Sequence, residues 1–159
     1  MKHIIAVIVD NKPGVLARVA GLFSRRAYNI DSLAVGPTET KDISRITLVV
    51  HGNDDIVEQI SKQLNKLPDV KKVLDLTQTE CISREMLLIK VRATAKTRRE
   101  IYTLAHAFRA KVIDIAGESM VIEVTGDTEK INGLETLLEK YGIHAVVRTG
   151  KIALARGKK

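Results

Sequence analysis

Aromatic side chains are scarce in this 159-residue chain, which has three Tyr, two Phe and no Trp. With one cysteine, Cys81, an internal disulfide is excluded, and a reducing, cytoplasmic location is expected. No apolar run approaches the roughly 18–20 residues that cross a bilayer, so no membrane span is expected. The opening MKHIIAVIVDNKPG lacks a small-residue cleavage site and is interrupted by Asp10, so it reads as a first strand rather than a signal peptide. Acidic residues are missing from Arg148 onward, where Arg148, Lys151, Arg156, Lys158 and Lys159 stand unopposed. These five carry most of the net charge of +7 and leave only +2 for the rest. The excess is a basic C-terminal tail, either a partner contact or a solvated end, and not a broad basic face.

Catalytic constellations are missing too. The histidines His3, His51, His106 and His144 are dispersed without metal-ligand spacing, and Cys81 has no histidine at motif spacing. There is no G-x-G-x-x-G, no phosphate loop and no G-x-S-x-G. Asp10 and Asp31 fall where strands meet a helix, and acids there serve more often as turn and cap residues than as a catalytic pair. No bound metal or cofactor and no catalytic residue is expected on this chain.

What is present is a pattern that occurs twice. HIIAVIVD (3–10) is an Ile/Val-rich run of strand length. Leu16, Val19, Ala20 and Phe23 follow at helical spacing, with Arg25 and Arg26 in the last turn and Asn29 as a left-handed stop. IDSLAVG and ISRITLVVHG read as two strands, then come a helix bearing Ile56, Ile60 and Leu64 and a strand, VKKVLDLTQ. The order is β-α-β-β-α-β. It recurs with MLLIKVRA, a helix bearing Ile101, Leu104, Ala105 and Phe108, the strands KVIDIAG and SMVIEVTG, a helix bearing Ile131, Leu134 and Leu138, and IHAVVRTG. The helical stripe repeats at a shift of 85. The fold class expected is therefore α+β, two tandem ferredoxin-like βαββαβ domains over 1–78 and 86–159 joined by a linker at 79–85. RNA-recognition modules share this order, but they stack bases on strand aromatics, and the corresponding strands here carry none.

The connection VDNKPGVL between the first strand and helix is special to the first copy. A shift of 85 takes Asn11, Pro13 and Gly14 to Lys96, Arg98 and Arg99, and Asn29 to Asp114. Pro13 suits the first helical position, and Gly14 lets another molecule approach the backbone closely. The amides of a first turn, with the helix dipole, favour a carboxylate. Asn11 adds a side-chain amide for either end of a zwitterion, and Val15 and Leu16 suit a small aliphatic group. The same residues also make an ordinary strand-to-helix turn.

The stretch VDNKPGVLARVAGLFSRRAYNIDSLAVGPTE resembles the start of an ACT domain, the amino-acid-sensing module of metabolic enzymes. More narrowly, it resembles the small regulatory subunits of acetolactate (acetohydroxyacid) synthase. SRITLVVHG, SREMLLIKV and RTGKIALARG extend that resemblance over the whole chain. Ala17 and Ala27 depart from it, standing where serine or glycine is frequent. The resemblance implies a chain that makes no acetolactate itself and binds a catalytic subunit carrying thiamine diphosphate, Mg²⁺ and FAD. It implies activation of that subunit and feedback inhibition by valine. It also implies a homodimer joined side by side through the ACT domain, with effector sites at the interface. An unpaired edge at IDSLAVG is a template for that pairing. The effector site expected comprises Asn11, Pro13, Gly14, Val15 and Leu16 of one chain, facing Asn29 and Ile30 of the other. A free-standing amino-acid sensor for a different partner is the alternative, distinguished by whether a large thiamine-diphosphate protein co-purifies.

Overall fold

The computed structural model describes residues 1–157; Lys158 and Lys159 of the basic tail lie outside the described residues. It forms two α+β units, Met1–Ile82 together with the segment from Lys151 onward, and Ser83–Gly150.

Unit 1 runs β1 (Lys2–Asp10), α1 (Val15–Arg25), β2 (Ile30–Pro37), β3 (Ile43–His51), α2 (Asp54–Asn65) and β4 (Val70–Asp75). Its antiparallel sheet has the order β2-β3-β1-β4, which leaves β2 at an edge. Alternation along β1 puts Ile5, Val7 and Val9 into a core with Val15, Val19, Leu22 and Phe23 of α1 and Val57, Ile60 and Leu64 of α2. The buried stripe of α1 thus begins at Val15, one residue before the expected Leu16, which is 41% exposed.

Unit 2 contains β5 (Cys81–Arg92, from Ser83), α3 (Arg98–Ala107), β6 (Lys111–Ile115), β7 (Ser119–Gly126), α4 (Thr128–Leu138), a single 3-10 turn (Glu139–Tyr141) and β8 (Ile143–Arg148). The sheet path is β6-β7-β5-β8, and its core gathers Leu87, Ile89 and Val91, Ile101 and Ala105, and Ile131, Leu134 and Leu138. Both units are βαββαβ, as the sequence pattern requires.

Three expectations are corrected. Cys81–Glu85, read as linker, already belong to strand β5. Glu85 is 7% exposed there and is held by Arg148 at 3.2 Å, which no flexible linker residue would be. Arg148 is no free tail charge, since it also bonds Glu135 and, at 2.8 Å, Asn132. The segment from Lys151 groups with unit 1 rather than with the domain it follows in sequence. There β9 (Ile152–Ala155) turns Ala153 onto Ala6 and Leu76, while the Ala153 carbonyl accepts from Arg45 at 2.8 Å and the Lys151 amide donates to Ser32 Oγ at 2.8 Å.

The repeat shift is also corrected, from 85 to 82. At 82, Ile5, Val7 and Val9 fall on Leu87, Ile89 and Val91, and buried Val19 and Phe23 fall on buried Ile101 and Ala105. Register irregularities coincide as well, Ile8/Val9 with Lys90/Val91 and Ile30/Ser32 with Val112/Asp114. An error of three residues is nearly one helical turn, so a helical stripe alone repeats almost equally well at either shift. Asn11, Pro13 and Gly14 therefore correspond to Ala93, Ala95 and Lys96, and Asn29 to Lys111.

No helix among the described residues is long and apolar enough to cross a membrane.

Candidate effector site at the first strand-to-helix turn

β1 ends at Asp10, whose amide donates to the Asp69 carbonyl (2.9 Å), and the Asn11 amide donates to the Asp42 carbonyl (2.8 Å). The chain then turns through Lys12-Pro13-Gly14-Val15, closed by Val15 N–H to the Lys12 carbonyl at 3.4 Å. Gly14 has φ 85° and ψ −12°, the geometry of the third residue of a type II turn, which follows a proline at the second. Pro13 is therefore a turn residue one place before the N-cap, correcting its expected position inside the helix. Proline fixes φ for the second position, and only glycine accepts the left-handed third at little cost.

Gly14 is the N-cap of α1 and offers no side chain, and the first turn of α1 holds no acid. The amides of Leu16 and Ala17 find no acceptor among the described residues. The other helices differ. Asn53 caps α2 through the Ile56 amide, Asp127 caps α4 through the Lys130 amide, and α3 carries Glu100 in its first turn. The N-terminus of α1 is left with unmatched donors and an uncompensated positive dipole end.

Of the expected site residues, Asn11, Pro13, Gly14 and Leu16 come together on the surface of this corner. Val15 does not join them. It is 3% exposed and turned into the core, so of the expected Val15–Leu16 pair only Leu16 faces solvent. Asn29 and Ile30 lie at the far end of the sheet. Ile30 pairs with Val50, which pairs with His3, whereas Asp10 pairs with Ile43. Seven residues along β1 separate the two ends, roughly 24 Å at about 3.4 Å per residue. Asn29 is exposed and donates from Nδ2 to Asp31 Oδ1 at 2.6 Å, which leaves its own oxygen open. It is not the left-handed stop of α1: that residue is Ala27, at φ 58°.

Sequence reasoning missed Arg18. It lies one turn along α1 from Gly14, pairs with Asp69, and brings its guanidinium within 3.4 Å of where a Gly14 Cβ would stand. The signal was the i, i+4 spacing, which puts both residues on one helix face. Asp10, ringed by Lys12 (3.8 Å) and Lys71 (3.5 Å), completes a rim in which each acid is already paired. Such a corner can hold a small carboxylate through backbone amides and Arg18. Among the described residues no three His, Cys, Asp or Glu side chains are grouped to hold a metal. Buried His3 is tied to the Gly52 carbonyl (3.0 Å) and Thr77 Oγ1 (3.3 Å), a structural histidine.

Residues 5–72 match the family model of the AHAS small subunit-like ACT domain, and residues 84–157 match that of the small subunit of acetolactate synthase. The chain is 53% identical over 159 residues to the "Probable acetolactate synthase small subunit" of Archaeoglobus fulgidus, covering 100% of this chain and 99% of that one. It is 52% identical over 155 residues to the acetolactate synthase small subunit of Mycolicibacterium smegmatis, covering 98% and 91%. Among solved structures, the acetolactate synthase small subunit from Thermotoga maritima superposes with a TM-score of 0.90 at 40% identity, covering 100% and 99%.

Proposed function

The chain belongs to the family of acetolactate synthase small subunits, and on that premise we propose that it activates a catalytic subunit and makes it sensitive to valine. Thiamine diphosphate, Mg²⁺ and FAD would reside on the catalytic subunit, in the cytoplasm, and this chain would supply regulation alone. The observation that carries the reading is the uncapped N-terminus of α1 behind Gly14, among the described residues the one helix start with neither a side-chain cap nor an acid in its first turn. A valine carboxylate matches those donors, its isopropyl group matches exposed Leu16, and its ammonium calls for an acceptor beyond Asp10 and Asp69, which are already paired.

A second copy of the chain would provide it. Edge strand β2 is free to pair with its own symmetry mate, and a two-fold axis makes that pairing antiparallel. The start of β2, with Asn29 and Ile30, then lies beside the end of the partner's β2. That end, Gly36 and Pro37, pairs with Arg45 and Ser44, next to the strand that ends at Asp10. The 24 Å separation within one chain closes across the dimer, and Asn29 brings an open side-chain oxygen.

The test is valine titration of the reconstituted enzyme beside calorimetric binding of valine to the small subunit alone. Asn29→Ala should weaken both by about tenfold, the loss of one buried polar contact of roughly 1–3 kcal/mol. Unchanged valine affinity and a monomer in solution would reject the shared site. Wild-type chain that fails to raise acetolactate formation would reject the regulatory reading itself and favour a sensor for another partner.

A further inference from the structure

Unit 2 has a feature that valine sensing leaves unused. Between α3 and edge strand β6 runs an open groove of about 520 Å³ lined by Arg98, Arg99, Tyr102, Thr103, Ile115 and Met120. Two arginines line it and no acid does. Neither Arg98 nor Arg99 forms an ion pair among the described residues, although Arg18 and Arg148 elsewhere do. Arg98 donates from one terminal nitrogen to the carbonyls of Ala116 (3.2 Å) and Gly117 (2.6 Å), while its Nε is covered and bonds nothing. A covered guanidinium N–H without an acceptor is costly, and turning it outward to a carboxylate would satisfy it. The groove's walls include exposed apolar surface: Tyr102 is 58% accessible and Ile115 59%.

We propose that this groove docks a segment of the catalytic subunit that carries a carboxylate beside an apolar side chain; the proposal rests on the regulatory-subunit reading above. Charge complementarity selects the acid, since the groove presents two guanidinium groups and no carboxylate. The open shape and the free edge of β6 suit an extended protein segment, whose backbone can add to the strand while side chains fill the groove. Tyrosine and arginine are the residue types that dominate protein interfaces. A second copy of this chain is disfavoured, because a two-fold contact centred on the groove sets Arg98 and Arg99 against their own copies.

The experiment measures association of the full-length small subunit with the catalytic subunit by sedimentation, for wild type, Arg99→Glu, Arg99→Lys and Tyr102→Ala. Valine binding to each small subunit alone is measured in parallel. Arg99→Glu and Tyr102→Ala should weaken association by about tenfold or more with valine binding unchanged, and Arg99→Lys should largely retain it. Tyr102 is more than half exposed, so its truncation tests the groove even if Arg99→Glu folds poorly. Association within about twofold of wild type for both Arg99→Glu and Tyr102→Ala overturns the proposal and leaves the regulatory reading intact. A change in the small subunit's own oligomeric state would also overturn it, by making the groove a self-interface. A wild-type chain that does not associate at all would instead sink the regulatory reading.

Discussion

The chain leaves β1 through Lys12-Pro13-Gly14-Val15 and leaves β5, 82 residues later, through Thr94-Ala95-Lys96-Thr97. The second turn closes on itself. The Thr94 amide donates to Thr97 Oγ1 (2.9 Å), the two hydroxyls are 3.2 Å apart, and the Thr94 carbonyl accepts from the amides of Thr97 (3.1 Å) and Arg98 (3.0 Å). Glu100 stands in the first turn of α3 to match its dipole. In unit 1 only the backbone closure recurs, Val15 N–H to the Lys12 carbonyl at 3.4 Å; no hydroxyl pair and no first-turn acid accompany it, and the turn passes through a left-handed glycine. Two copies of one scaffold therefore differ at the same corner in the acid of the first helical turn, Glu100 in unit 2 and none in unit 1, while neither helix start has a side-chain cap. The scaffold is supported by core positions that both copies keep, whereas the proposed effector site rests on turn residues, Asn11, Pro13 and Gly14, that only one copy has.

The largest effect should come from breaking that asymmetry directly. Gly14→Asp places a carboxylate over the open amides, and aspartate tolerates the left-handed conformation better than most residues. Valine inhibition of the reconstituted enzyme should weaken by about tenfold or more, within the usual range of effector coupling. The corresponding change in unit 2, Lys96→Asp, should leave the valine titration where it was. Equal effects from both would show that the two corners are not functionally distinct.

Next in size is the covering of the sheet face in unit 1. Ala153→Asp buries a charge against Ala6 and Leu76 and should cost about 2–4 kcal/mol in urea unfolding. Leu154→Asp, one residue on and 63% exposed, should cost less than about 0.5 kcal/mol. Comparable losses would mean that Ala153 is not packed inward.

Arg148→Met, in unit 2, leaves Glu85 nearly buried without its partner, for a loss of about 1–3 kcal/mol. Because Arg148 keeps 31% of its side chain in solvent, the lower half of that range is expected, and Glu85→Gln in the same background should recover part of it.

The smallest effect should be the same in both units. Each first helix ends in the same way. Tyr28 and Ala27 amides bond the Phe23 and Ser24 carbonyls, and Ala110 and Arg109 amides bond those of Ala105 and His106. Ala27 (φ 58°) and Arg109 (φ 54°) occupy the left-handed position that glycine prefers. Ala27→Gly and Arg109→Gly should each raise stability by roughly 0.5–1 kcal/mol in thermal or urea unfolding. A gain in only one unit would show that the two helix ends, alike in hydrogen bonding, are not alike in strain.

Local patterns made much of this readable in advance. Strand alternation and helical spacing are nearest-neighbour properties, so the element order, the duplication and the Pro-Gly corner followed from the order of residues. Helical periodicity repeats every turn, however, and cannot distinguish a shift of 85 from 82; only strand register and coincident bulges do so. The sign of φ at Gly14 and Ala27 was likewise open, since Pro-Gly suits either a helix start or a type II turn, and alanine carries no mark of a left-handed stop. The order of residues determined the two βαββαβ units, because strand alternation and helical spacing depend on residue type and position alone. Tertiary structure decided that Val15 serves the core rather than the surface corner, that Arg18 stands beside Gly14, and that the segment after Lys151 covers unit 1. Each of these depends on contacts between residues remote in sequence or on which way a turn rotates its side chains, and neither quantity is carried by local composition.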